Sequence, residues 1–220
     1  MKSRKFFLNS FLNSFLFLAF ALLPACSNTN TQKKASEVKP PEQQQEQKAN
    51  TSEEESLPEL KVGDNLKEII KTTKVKTIKG KEKPLSKFIG SEKTLITIVK
   101  PGCVFCESML AIKSATGVKT KAKFLVVLDS SHADYTVFKE KYDKFKSAGG
   151  EWLFDMNNDF KSKFGVVSFP RFMLIDKDGV LEEYQTGLFM PKDESVLKGK
   201  SFPEALQLLS EETMRWMSKN

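Results

Sequence analysis

Cys103 and Cys106 stand three positions apart at the point where an apolar, β-branched run, Thr94–Val99, gives way to a helical pattern over Cys103–Lys113. A run of that length and composition reads as a buried strand. The spacing therefore places both thiols at the head of a helix that follows a strand directly. A thiol at a helix N-terminus faces unpaired backbone N–H groups and the positive end of the helix dipole, and both favour thiolate over thiol. Cys103 is the expected nucleophile. Cys106, one turn further on, is close enough to form a disulfide and turned toward the protein, a position suited to resolving a mixed disulfide. Lys100 favours ionisation of Cys103 and Glu107 opposes ionisation of its neighbour, so the sequence does not fix the sign of their sum.

The segments around this junction alternate in type. Val75–Lys79 alternates in polarity and turns at Gly80-Lys81, which predicts a short hairpin ahead of the buried strand. A second apolar strand is expected at Phe124–Leu128. Ser131 to Asp134 has a capping-box pattern, and Tyr135, Phe138, Tyr142 and Phe145 then fall on one helical face as core packing. A short strand at Trp152–Phe154, a short helix at Asn158–Phe164 and a strand at Arg171–Ile175 follow. The last turns at Asp176-Lys-Asp-Gly179 into Val180–Thr186. Ser201-Phe-Pro-Glu204 opens a final amphipathic helix with Ala205, Leu206, Leu209 and Trp216 among its apolar positions. Strands alternating with helices, then two strands joined by a tight turn, predict an α/β fold whose central mixed sheet is covered by helices on both faces.

The first 56 residues read differently. Residues 1–5 are positive, residues 6–23 are rich in Phe, Leu and Ala, and the run closes at Leu23-Pro-Ala-Cys26, which reads as an export signal over residues 1–25. Polar residues interrupt the apolar run, leaving it short of the ~20 residues that a spanning helix needs. Leu23, Ala25 and Cys26 resemble the bacterial lipobox, and that resemblance implies a diacylglycerol on Cys26 and a membrane held through it. Residues 26–56 are Ser, Asn, Thr, Gln, Glu and Lys with Pro40-Pro41, too polar to form a core. They read as a tether with a reach of ~100 Å fully extended, or ~30 Å as a coil. Residues 57–220 are then one domain, located in the cell envelope and facing periplasm or exterior.

Composition narrows the function classes. The net charge is +7, and three of the basic residues (Lys2, Arg4 and Lys5) lie in the leader, which leaves +4 of scattered lysine and no stripe for nucleic acid. Three cysteines are too few for a disulfide-stapled miniprotein, and no second C-x2-C completes a zinc site. The cofactor expectation is accordingly none beyond a redox-active Cys103–Cys106 disulfide.

From Lys74 to Gly187 the chain resembles the thioredoxin superfamily, and within it the membrane-tethered TlpA/ResA-type thiol-disulfide oxidoreductases. The residues that carry the likeness are TIKGKEKPLSKFIG, Pro101-Gly-Cys-Val-Phe-Cys106, Phe164-Gly-Val-Val-Ser-Phe-Pro170 and FMLIDKDG. The resemblance implies a thioredoxin fold with an N-terminal β-hairpin extension, catalytic Cys103 and Cys106, and a cis peptide before Pro170. It also implies that the backbone of Phe169 pairs with an extended substrate peptide. The implied partners are envelope protein thiols and disulfides, including cytochrome c apoproteins, with a membrane electron donor of the CcdA/DsbD type keeping the protein a reductant. Four positions depart from the family pattern. Gly102 replaces a tryptophan, Val104-Phe105 replaces Gly-Pro or Glu-Pro, and Thr97 and Met109 stand where relatives carry a buried aspartate and a glutamate.

Two other function classes compete with disulfide exchange. Soft thiolates suit Cu(I), so Cys103, Cys106 and His132 would form a copper-binding module if the only histidine reaches the thiols. Otherwise His132 is a proton shuttle, a loop residue or a helix cap. The remaining reading is a non-catalytic envelope lipoprotein with an inert disulfide. Peroxidase chemistry is disfavoured because Lys100 stands where a peroxidatic T-x-x-C motif needs threonine.

Overall fold

The computed structural model describes residues 57–220; the leader, Cys26 and the tether lie outside them. Seven strands form one mixed sheet: β1 (Lys74–Thr77), β2 (Glu82–Pro84), β3 (Thr94–Val99), β4 (Lys123–Leu128), β5 (Glu151–Asp155), β6 (Arg171–Ile175) and β7 (Leu181–Thr186), in the order β2-β1-β5-β4-β3-β6-β7. β3 runs parallel to β4, with Thr94 opposite Lys123 and Val99 opposite Leu128, and β4 runs parallel to β5. β6 lies antiparallel to β3, and β7 antiparallel to β6. Three parallel strands (β5, β4 and β3) beside the antiparallel pair β6–β7, with the hairpin β1–β2 added at the β5 edge, is the thioredoxin arrangement with its expected extension.

Every residue of β3 is buried, as its continuous apolar run requires of a strand covered on both faces. Successive side chains point to opposite faces. Leu95, Val99, Phe124, Val126, Leu128, Phe172 and Leu174 pack under α2 (Val104–Thr116), α3 (Tyr135–Phe145) and α5 (Phe202–Lys219). Ile96, Ile98, Leu125, Val127, Met173 and Ile175 face α1 (Lys67–Thr72) and α4 (Asp159–Phe164). Among the described residues no helix is long and apolar enough to cross a membrane.

One local expectation needs correction, and the structure adds detail at two other places. Ser131 does not cap α3; Asp134 does, its carboxylate accepting from the N–H groups of Thr136 (2.7 Å) and Val137 (2.9 Å), while Ser130–His132 forms a separate 3-10 turn. The aspartate wins because it adjoins the first helical residue. In α5 the buried face is Ser210, Thr213, Met214 and Met217, with Leu206, Leu209 and Trp216 only partly covered. Small hydroxyl residues allow α5 to come close to α2, and the Ser108 and Ser210 hydroxyls hydrogen-bond across that contact at 3.0 Å. The structure also contains α1, a helix without a counterpart in the sequence expectations, which packs Ile70 beneath the sheet.

Candidate functional site

The strand-to-helix junction delivers the thiols as their spacing predicts. β3 ends at Val99, the chain turns through Lys100-Pro101-Gly102, and Cys103 is the N-cap of α2 with extended backbone. Its Sγ accepts the N–H of Cys106 at 3.2 Å, which occupies one of the N–H groups that a helix start leaves unpaired. Cys103 and Cys106 are joined as a disulfide with their Cα atoms 5.2 Å apart. Cys103 is 8% exposed and Cys106 only 1%, so an incoming sulfur meets Cys103 first. Gly102 has φ +72°, a left-handed conformation that favours glycine.

The segment before β6 comes up against this junction. The Phe169–Pro170 peptide is cis, and Phe169 packs on the same cluster that contains Cys103 and Cys106. Lys100 lies over the Phe169 ring, Nζ 5.4 Å from its centroid, linking the loop before the disulfide to the loop before β6. The Pro170 carbonyl accepts from Gly187 N–H at 2.8 Å, whereas the peptide groups of Phe169 make no backbone hydrogen bond among the described residues.

The electrostatics differ from the sequence expectation. Burial raises the Glu107 pKa, but hydrogen bonds from Lys141 and Lys144, together with their charges, outweigh it and hold the carboxyl below its ordinary value. Glu107 is therefore an ion-paired strut between α2 and α3, and its charge is largely neutralised beside Cys106. Thr97 is fully buried on the sheet face that carries α2, and its hydroxyl has no hydrogen-bond partner. Met109 is also fully buried. Neither residue supplies a carboxylate beneath the thiols.

His132 does not join them. Its Nδ1 sits 2.6 Å from the Ser131 hydroxyl and 3.4 Å from a carboxylate oxygen of Asp129 in an exposed turn. Among the described residues no three His, Cys, Asp or Glu side chains converge as a metal site. A feature that sequence reading missed is a buried carboxylate, Asp155 at the end of β5, which accepts from the N–H groups of Asp159 (3.0 Å) and Phe160 (3.2 Å) at the start of α4. Burial, with the charges of Asp129 and Asp159, pushes its pKa up to about 6 despite those hydrogen bonds. An aspartate ending a strand four residues before a short helix was its available signal.

Large apolar side chains are exposed in the segments that carry the disulfide and Pro170. Val104 and Phe105, the residues between the cysteines, are both exposed, as is Val167 in the loop leading to Pro170. Toward α3 lies a hollow of about 520 Å³ lined by Gly102, Val104, Glu107, Ser108 and Ala111 on one side and by Lys144 and Phe145 of α3 on the other. Toward α5, the Phe105 ring meets Phe202 edge to face at 6.2 Å.

Neither a family model nor a curated protein matches the sequence. Solved structures similar to this chain include the exposed lipoprotein thioredoxin Etrx1 of Streptococcus pneumoniae, at 24% identity and a TM-score of 0.44 over 63% of this chain and 97% of that one. A secreted Mycobacterium tuberculosis disulfide oxidoreductase homologous to E. coli DsbE is similar at 17% identity and a TM-score of 0.44, over 66% and 98%. StoA from Bacillus subtilis is similar at 18% identity and a TM-score of 0.42, over 57% and 92%. Strand order and register alone define the fold. By that topology the chain has the thioredoxin fold, with a C-x2-C disulfide at the N-terminus of α2.

Proposed function

We propose that the protein is a thiol-disulfide oxidoreductase of the cell envelope that reduces disulfides in protein clients. The observation that carries this reading is Cys103 at the N-cap of α2, its sulfur holding the Cys106 N–H and already bonded to the Cys106 sulfur. In the reduced protein the Cys103 thiolate attacks one sulfur of a client disulfide. The S–S bond breaks, the far client sulfur leaves as thiolate and takes a proton, and Cys103 holds the near one as a mixed disulfide. Cys106 loses its proton and attacks the Cys103 sulfur. The client leaves with two electrons more than it brought, and the Cys103–Cys106 disulfide is regenerated. Because Thr97 and Met109 offer no carboxylate, water or the departing client thiolate takes the Cys106 proton.

The unpaired peptide groups of Phe169 beside the cis Pro170 are available to an extended client strand, which would hold the client sulfur over Cys103. A membrane dithiol donor of the CcdA/DsbD type returns the pair to the reduced state, and a lipid on Cys26 with a polar tether keeps the domain at the membrane while it reaches clients. Reduction of insulin by the wild type, its loss in Cys103→Ser, and covalent capture of clients and donor on Cys103 in a Cys106→Ala strain are the expected results. Wild-type protein that leaves insulin intact, with no mixed disulfide recovered from the Cys106→Ala strain, would reject exchange chemistry. Incorporation of labelled fatty acid that disappears in Cys26→Ala tests the anchor separately.

A further inference from the structure

We propose that Phe105 and Phe202 form an aromatic corner that binds an apolar side chain flanking the reactive cysteine of an extended client, so that α5 as well as α2 selects substrates; this rests on the exchange reading above. Phe202 is the first residue of α5 and is 60% exposed, although burial would ordinarily be gained by a ring of that size. It is not isolated, because its ring meets Phe105 edge to face, and Phe105 lies between the two cysteines. The capping of α5 does not need a phenyl group there. The Glu204 carboxylate already accepts the Ser201 N–H at 2.9 Å, and Pro203 supplies the fixed φ of a helix start.

The occupant follows from the chemistry. A client that bonds to Cys103 must lay its neighbouring residues across the surface next to that sulfur. There Phe105 and Phe202 present exposed apolar area toward α5, while Val104 borders the hollow toward α3 and Val167 is exposed in the loop leading to Pro170. An edge-to-face pair offers one open ring face and one open edge to a third apolar group, and such contacts favour aromatic and branched aliphatic side chains. The expected substrate class is thus extended protein segments with an apolar residue next to cysteine, as unfolded or misoxidised chains expose.

The test uses the full chain and two disulfide-linked peptides identical except for leucine or serine beside the reacting cysteine. Wild type is expected to favour the leucine peptide about tenfold in kcat/KM, the scale on which an apolar site discriminates. Phe202→Ser is expected to bring that ratio below about three, and Phe202→Leu to retain most of it. The melting temperature of each variant, measured alongside, reports folding. Equal rates with both peptides for the wild type would overturn the proposal, as would an unchanged preference in Phe202→Ser, which would put the selective contact in the hollow toward α3. If wild type reduces neither peptide nor insulin, the exchange reading fails and takes this inference with it.

Discussion

Asp155 ties the stability of the protein to pH in a way that can be isolated. Its carboxyl is fully buried at the end of β5, faces the charges of Asp129 and Asp159, and titrates at about 6 instead of 3.8. Between those two values the folded protein holds a proton that the unfolded chain has released. Folding therefore binds protons in this window, and the contribution of Asp155 to stability falls as pH rises through it. The interval from 3.8 to about 6 corresponds to about 3 kcal/mol, the cost of ionising this carboxyl in place. Two backbone N–H groups of α4 stabilise the charged form but do not offset burial.

Asp155→Asn removes the titration and also weakens one of those two hydrogen bonds, a pH-independent loss of about 1 kcal/mol or somewhat more. Only the change with pH is diagnostic. Urea unfolding of wild type and Asp155→Asn from pH 4 to pH 8 should show the stability of the variant relative to wild type rising by about 2.5 kcal/mol, with most of the rise below pH 7. Because both proteins share every other carboxylate, the difference curve cancels most of their titration. A difference that stays flat within about 0.5 kcal/mol would show that Asp155 is ionised in the fold at little cost, and the burial argument would be wrong.

Gly102 and Gly165 both have left-handed φ but differ in what a Cβ would meet. Nothing lies within 4 Å at Gly102, so Gly102→Ala should cost about 1–2 kcal/mol of strain, whereas at Gly165 the Cβ would stand 2.0 Å from the Pro58 carbonyl oxygen and Gly165→Ala should cost more than about 3 kcal/mol. Denaturant midpoints in the reverse order would refute the geometry. Thr97→Val replaces a buried, unpartnered hydroxyl with a methyl and should stabilise the oxidised protein by about 1 kcal/mol in thermal unfolding; a loss of stability would mean that the hydroxyl has a partner. Glu107→Gln should cost about 1 kcal/mol. Because the Glu107 pKa is lowered, that loss should be full above its ordinary 4.5 and fade as the pH falls through the lowered value, as a pH series of melting temperatures would report.

Local chemistry made the thiol junction legible in the sequence. A β-branched run, a turn and two cysteines three apart leave few geometries, and strand β3 and the N-cap role of Cys103 follow from them. The turn Asp176–Gly179 was legible for the same reason, since the Asp176 carboxylate accepts from the N–H groups of Asp178 and Val180 and Gly179 takes a positive φ. What escaped was long-range. α1 has only six residues, too short for an apolar period to stand out, and packing of Ile70 against the sheet sustains it. The burial of Asp155 arises only when α4 folds over the end of β5. The pairing of Glu107 with two lysines more than thirty residues away likewise needed α3 beside α2 before its charge could be assigned.

The same distinction bears on the chemistry. Thr97 and Met109, the positions at which the family resemblance implied acids, are both buried and uncharged, while Glu107, the acid adjoining Cys106 in the chain, is ion-paired to two lysines. On the exchange reading, resolution of the mixed disulfide has no free carboxylate at these three positions to draw on, so its rate should follow the thiolate fraction of Cys106 itself and the leaving ability of the client sulfur. Clients with low-pKa thiols would be released faster than those with ordinary ones. An apolar corner at Phe105 and Phe202 would then act earlier in the cycle, at capture, and the two forms of selectivity would separate as different steps in single-turnover kinetics.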